Sequence, residues 1–203
     1  MDKNWTQFCN KCQLWLCRGR NRGKMGEKER GKKMKHEIYV GYSAPELCPE
    51  LGRIMAESFR SAFADFISKE TLDRCALAEN CAGLLSDLPR EMTTVTGWLD
   101  GKLMGLLVFS QHPEGRTEIE ALHSLPESWG TGLGEAMLEF ALDETNADKV
   151  AGLWAFEKNA RARRFYEKHG FRFTGETRVS EFDGAIEVRY EKKLGPIKES
   201  GVR

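Results

Sequence analysis

Trp129-Gly130-Thr131-Gly132-Leu133-Gly134 is the stretch on which the reading of this chain turns. It separates a strand-like run at 117–125 from a segment of helical periodicity at 132–145, where Met137, Leu138, Phe140 and Ala141 face inward. Glycine in a strand-to-helix turn permits positive φ and lets a ligand approach the backbone. The N–H groups that open the helix, reinforced by its dipole, suit a phosphate anion. Two familiar phosphate loops do not fit. A P-loop needs Lys and Ser/Thr after the last glycine, and Glu135-Ala136 stand there. The dinucleotide fingerprint needs glycine at 135 or 137, which are Glu and Met. Taken alone, such a loop is equally a plain connector.

It does not stand alone. Further along comes Asn159-x-x-Ala162-x-x-Phe165-Tyr166-x-x-x-Gly170-Phe171. On a helix Asn159, Ala162 and Tyr166 are three and four apart and share a face. Asn159 is a good N-cap, and Gly170 suits the position just past the helix end. Phe165 and Tyr166 on such a helix read equally well as core packing.

Outward from these two stretches the chain reads as a mixed α/β domain over 34–194. Ile38, Val40 and Tyr42 alternate as a first strand. Ser43-Ala44-Pro45-Glu46 opens a helix carrying Leu47, Leu51, Ile54, Met55, Ser58, Phe59 and Ala62 at helical spacing. A second helix is predicted over 69–86, with Leu72, Cys75, Ala76, Leu84 and Leu85 inward. Asp100-Gly101 joins apolar runs at 93–99 and 103–110 as a tight hairpin, because both turn residues need positive φ. A short buried strand follows at 150–156, a helix at 159–169, and a closing pair of strands at 171–179 and 186–192. The predicted order is β-α-α-β-β-β-α-β-α-β-β, with a largely antiparallel first half.

The 203 residues carry 31 Lys/Arg and 31 Asp/Glu, but the signs are segregated. Residues 1–33 hold ten basic and three acidic residues, net +7, so the remainder is net −7. A neutral total argues against nucleic-acid coating by the folded domain. Residues 1–33 read as a basic, disordered extension and 195–203 as a tail. Three readings compete for the extension: a zinc site from Cys9-x2-Cys12-x4-Cys17, with His36 far downstream as the next ligand; a tether to RNA or a membrane surface; and no role, with Met34 or Met25 as the true translation start. The last is preferred, and no metal is expected. No apolar run nears the roughly 20 residues that span a bilayer. The early patch of Trp5, Phe8, Leu14, Trp15 and Leu16 is too broken for a secretory signal. Six cysteines in such a chain read as reduced thiols in a cytoplasm.

The two motifs together, at this separation and between these elements, resemble the GNAT superfamily of acyl-CoA-dependent N-acetyltransferases. Its phosphate motif, Q/R-x-x-G-x-G/A, falls on Trp129–Gly134, and its N-x-x-A-x-x-F/Y-Y helix on Asn159–Phe171. The resemblance covers about four-fifths of the chain, with Trp129 in place of the usual Gln or Arg. It implies a mixed sheet of about seven strands, splayed in the middle, with four helices. It implies acetyl-CoA as co-substrate, its pantetheine arm along Leu122, His123 and Ser124, its pyrophosphate on the N–H groups of Gly130, Thr131, Gly132, Leu133 and Gly134, and Asn159, Ala162 and Tyr166 beside the pantetheine or thioester.

The implied chemistry is direct attack of an amine on a thioester. A lysine-like amine, with pKa about 10.4, must lose a proton first. The resemblance offers a glutamate on the strand at 117–125 as base, so Glu118 and Glu120 are candidates, with His123 a rival. A backbone N–H near His123 would serve the oxyanion. His36, His112 and His169 have no sequence partner that points to catalysis. Tyr166 would protonate the leaving thiolate. A free phenol, pKa about 10, is a weaker acid than a thiol, about 8.5, so Tyr166 needs a lowered pKa or acts as a hydrogen-bond donor. Asp65, Glu70, Asp73, Glu79, Glu181, Asp183 and Glu187 lie where the resemblance places the acceptor, and such a rim suits a cationic small-molecule amine. A protein N-terminal acetyltransferase of the ribosomal-protein type, or a non-catalytic acyl-CoA-binding module, are the alternatives. Monomer and homodimer are both open.

Overall fold

A computed structural model of the chain describes residues 36–144 and 150–195. The expectations for the cysteine cluster, the basic run, Met34 and all but the first residue of the C-terminal tail lie outside these residues.

Seven strands form one sheet in the order β1-β2-β3-β4-β5-β7-β6. They are β1 Ile38–Tyr42, β2 Met92–Leu99, β3 Lys102–Gln111, β4 Arg116–Ser124, β5 Val150–Phe156, β6 Arg172–Val179 and β7 Ile186–Lys193. All neighbouring pairs are antiparallel except β4 and β5. The β2–β3 hairpin turns on Asp100 and Gly101, with φ of 51° and 75°, as the dipeptide demands. The last hairpin does not simply extend the sheet, because β7 inserts between β5 and β6.

The described residues hold five α-helices: α1 Cys48–Phe63, α2 Lys69–Cys75, α3 Ala78–Ser86, α4 Leu133–Asp143 and α5 Ala160–Lys168. The expectation of four is corrected at 69–86, where the chain breaks at Ala76 and the extended Leu77. In one continuous helix Cys81 would point about 140° away from Ala76. The break lets both join Ala56 of α1 in one apolar cluster. Leu84 remains half-buried.

Helices α4 and α5 cover one face of the sheet, where Met137, Leu138 and Tyr166 meet Leu107, Ile119 and Leu153. Helices α1 and α3 cover part of the other, where Leu51, Ile54 and Leu85 meet Leu106 and Val108. The alternation of β3 supplies both cores. No helix among the described residues is long and apolar enough to cross a membrane.

Two helical glycines should respond oppositely to alanine. A Cβ at Gly52 of α1 would lie 2.5 Å from the Ala78 carbonyl oxygen and the Ala82 nitrogen of α3, backbone atoms that cannot swing aside. At Gly83 it would meet nothing within 4 Å. Gly52→Ala should lower the unfolding free energy by about 1–3 kcal/mol, and Gly83→Ala should raise it by up to about 1 kcal/mol. Urea denaturation reads both.

Candidate active site

Pairing between β4 and β5 covers only Arg116–Ile119 against Val150–Leu153. Beyond that rung β4 runs on to Ser124 and β5 to Phe156, with no pairing between them. The strands diverge into a cleft along whose β4 side lie Leu122, His123 and Ser124.

The last rung but one is held from the side. Arg189 of β7 reaches across Gly152 of β5 to Glu118, donating from Nη1 to Oε1 and from Nη2 to Oε2, the latter at 2.8 Å. Both groups are largely buried, with side-chain exposures of 7% and 15%. A Cβ at Gly152 would fall on the guanidinium, so the bridge needs glycine there. Glu118 thus has both oxygens engaged.

Glu120 is differently placed. A bulge in β4 leaves it between Ile119, opposite Phe109, and Ala121, opposite Val108. Its Oε1 accepts a 2.7 Å hydrogen bond from the Ser110 hydroxyl. Burial pushes its carboxyl pKa up; the Ser110 hydrogen bond opposes this, Glu118 adds to it, and His112 and Arg178 oppose it. The two candidate carboxylates therefore share a region but not an environment.

His123 is buried under α1, its Nδ1 3.3 Å from the Ser58 hydroxyl and its ring stacked near Phe59. Burial drives its pKa down to about 4, so the imidazole is neutral at pH 7. Tyr166 is buried in α5 with Phe165 and Phe171 around it, and burial raises its phenol pKa. The lowered value that ready proton release would require is not found. Asn159 caps α5, its Oδ1 accepting from the Ala162 N–H at 3.1 Å, which leaves the donor end of its amide for a ligand.

The glycine-rich loop is ordered by its own polar atoms. Ser128 Oγ donates to the Leu125 carbonyl at 2.8 Å and Thr131 Oγ1 to the Ser128 carbonyl at 2.7 Å. Gly130 and Gly132 take φ of 77° and 98°, and Gly132 stands at the N-cap of α4. The first-turn N–H groups of a helix have no partner inside it, so this end of α4 offers donors to an anion. Trp129 donates its indole N–H to the Ser124 carbonyl at 3.2 Å, and the Arg161 guanidinium lies 3.2 Å from the centre of its ring. A cation from α5 therefore stands beside the loop that lacks one of its own.

The remaining histidines have partners no spacing revealed. His36 Nδ1 meets Asp100 at 2.7 Å, His169 Nδ1 meets the Phe165 carbonyl at 2.7 Å, and His112 Nε2 lies 3.3 Å from Ser110 Oγ. Much of the acidic rim is spent internally. Asp73 pairs with Lys69, Glu187 with Arg178, and Asp183 accepts from the Ser68 N–H at 2.6 Å and from Thr71 Oγ1. Arg189, Arg161 and Ser110 were missed because each gains its place only through a strand or helix distant in sequence or through the bulge. Among the described residues no cluster of three or more His, Cys, Asp or Glu side chains could hold a metal ion.

The family model for the acetyltransferase (GNAT) family matches residues 53–171. The chain belongs to the GNAT family. A probable N-acetyltransferase of Mycobacterium tuberculosis is 38% identical over 81 residues, which are 38% of this chain and 45% of that relative. The chain thus spans less than half of that protein. A second, uncharacterised N-acetyltransferase of the same organism is 30% identical over 133 residues, 62% of this chain and 83% of its own length. Among solved structures, a Thermoplasma acidophilum N-acetyltransferase in complex with coenzyme A matches with a TM-score of 0.64 at 17% identity, over 77% of this chain and 99% of that one. The Escherichia coli ribosomal-protein-S18-alanine N-acetyltransferase matches with a TM-score of 0.56 at 15% identity, over 82% and 99%. At these identities the two structures share the fold.

The buried His123 makes stability depend on pH. Its folded pKa of about 4 lies below the usual 6.5, so between these values the unfolded chain binds a proton the folded chain refuses. Stability from this group is complete above about pH 6.5 and is lost as pH falls towards 4, by about 3 kcal/mol. Urea denaturation across this window should show the loss, and His123→Gln should flatten it.

Proposed function

We propose that the protein transfers an acetyl group from acetyl-CoA to a primary amine of a small molecule, by direct attack of the amine on the thioester. The observation that carries this reading is the reach of β4 from Glu120 to Ser124 that β5 leaves unpaired, followed by a glycine-ordered helix N-terminus. One end offers strand-edge hydrogen bonds to a pantetheine arm along Leu122, His123 and Ser124. The other offers N–H donors to a pyrophosphate between Gly130 and Gly134, where the Thr131 N–H donates to the Ser128 carbonyl at 3.3 Å and the Leu133 N–H to Thr131 Oγ1 at 3.4 Å until a ligand replaces these acceptors. Arg161, stacked on Trp129, supplies the positive charge that Trp129 cannot. Asn159 and Ala162 border the same cleft from α5.

Acetyl-CoA brings an activated carbonyl and a leaving thiolate; the chain's residues manage the protons. Glu120 takes the proton from the attacking amine, its raised pKa making it a stronger base than a free carboxylate. Glu118, with both oxygens on Arg189, acts as a strut. The N–H groups of Leu122 and Ser124, on either side of His123, lie on the edge of β4 turned away from β3 and serve the developing negative charge. Tyr166 keeps its proton and donates a hydrogen bond to the thiolate. The acceptor preference rests less on the acidic rim than the sequence implies, since Asp73, Asp183 and Glu187 are engaged within the protein. The fold likeness to the ribosomal-protein-S18-alanine enzyme keeps a protein N-terminus as the second acceptor to test.

A thiol-release assay with acetyl-CoA and a panel of primary amines and N-terminal peptides tests the reading. Glu120→Gln should lower kcat by about 10²-fold or more while acetyl-CoA still binds. Tyr166→Phe should lower kcat with little change in acetyl-CoA affinity. Arg161→Met should instead raise the KM for acetyl-CoA severalfold with kcat little changed. Acetyl-CoA binding without thiol release for any acceptor would leave a non-catalytic acyl-CoA-binding module.

A further inference from the structure

Glu120 must return its proton to water after each turnover, and, half-buried at the cleft, it has one hydrogen-bonded way out among the described residues besides the cleft mouth. On β4 its carboxylate neighbour, Glu118, is closed off by Arg189. Arg178 of β6 bears on it electrostatically but already donates Nε to Glu187. The group actually bonded to Glu120 is the Ser110 hydroxyl, at 2.7 Å, and Ser110 is only 1% exposed. A buried serine cannot deliver a proton to bulk water by itself. Its Oγ, however, lies 3.3 Å from Nε2 of His112, which stands exposed on the β3–β4 turn.

The turn fixes the main chain of His112. The His112 N–H donates to the Arg116 carbonyl at 2.8 Å, and the His112 carbonyl accepts from the Gly115 N–H at 2.8 Å. The bulge at Glu120 allows the carboxylate to reach back to Ser110, which pairs with Glu118 in the ladder. Carboxylate, hydroxyl and imidazole thus form an unbroken line from the apex of the cleft to the surface.

We infer that Ser110 and His112 form a proton relay that carries the proton taken up by Glu120 out of the cleft at the β3–β4 turn. The relay rests on the acetyltransferase reading above. An amine N–H bond breaks as Glu120 takes the proton. Once Glu120 is protonated, the Ser110 hydroxyl, which otherwise donates to Oε1, turns to donate to Nε2 of His112 in its Nδ1–H tautomer, and Oε1 passes its proton to Oγ as the hydroxyl proton moves to Nε2. Nδ1 then releases a proton to water, so one proton passes from amine to solvent and each group is restored by rotation and exchange. Imidazole suits the outer end because its two ring nitrogens can take a proton on one side and give one up on the other.

The test uses the full chain, acetyl-CoA and the best amine of the panel, with kcat followed across pH. Ser110→Ala and His112→Ala should each lower kcat by about tenfold, less than loss of the base itself. Each should alter the pH profile and leave the KM for acetyl-CoA within about twofold. Added imidazole should restore His112→Ala, where it can meet Ser110, and should not restore Ser110→Ala. Wild-type kcat and pH profile in either variant, failure of imidazole to restore His112→Ala, or equal restoration of both variants would overturn the relay. If Glu120→Gln is impaired while both relay variants are unaffected, the relay falls and the acetyltransferase reading stands. If the wild type releases no thiol with any acceptor, that reading falls and the relay's role goes with it.

Discussion

Hydrogen bonding between β4 and β5 stops at Ile119 and Leu153, one pair beyond the Glu118–Arg189 bridge that clamps the two strands over Gly152. A parallel pair would ordinarily continue while both strands remain, since unpaired buried backbone is costly. Here β5 keeps its other edge on β7 as far as Phe156, and β4 keeps its other edge on β3 as far as Ser124. Each diverging strand is therefore half-satisfied, which makes the opening tolerable. Breaking one member of a buried ion pair costs about 3–5 kcal/mol, so the rung at the apex resists propagation of the split into the rest of the sheet. The cleft exists because the sheet is clamped on one side of a line and released on the other.

The elements that were legible in the sequence answer to local requirements. Asp100-Gly101 turns the β2–β3 hairpin because two adjacent residues must take positive φ, and Asn159 caps α5 because its side chain reaches an N–H three residues on. The glycine turn before α4 could be read for the same reason. What could not be read depends on which distant segment arrives. Glu118 and Glu120 look equivalent by alternation, yet Arg189, 71 positions away, occupies one, while the other faces Ser110. His112 looks idle until the bulge brings a carboxylate to its serine neighbour. The split of 69–86 was hidden because the apolar positions admit one helix, and only the need to bury Ala76 and Cys81 against α1 breaks it.

Charge shows the same division. A net-negative body is visible in composition, but composition does not say which carboxylates remain available. Several of the acidic residues near the cleft instead bind other parts of the protein. A count of charges near a site overstates its field wherever ladders and caps absorb them.

Asp183 is the clearest instance. It sits at φ 54° in the β6–β7 turn and fastens that turn to Ser68 and Thr71 at the start of α2, 115 and 112 residues away. The β6–β7 turn and the start of α2 are thereby tied into a single strap instead of two independent loops. A change in length of the β6–β7 turn would carry α2 with it or release it. The β2–β3 turn is fastened in the same way, Asp100 accepting from the Glu37 N–H at 2.9 Å and meeting His36 Nδ1 at 2.7 Å. In both turns one aspartate at positive φ makes a hairpin and a distant segment move as one piece.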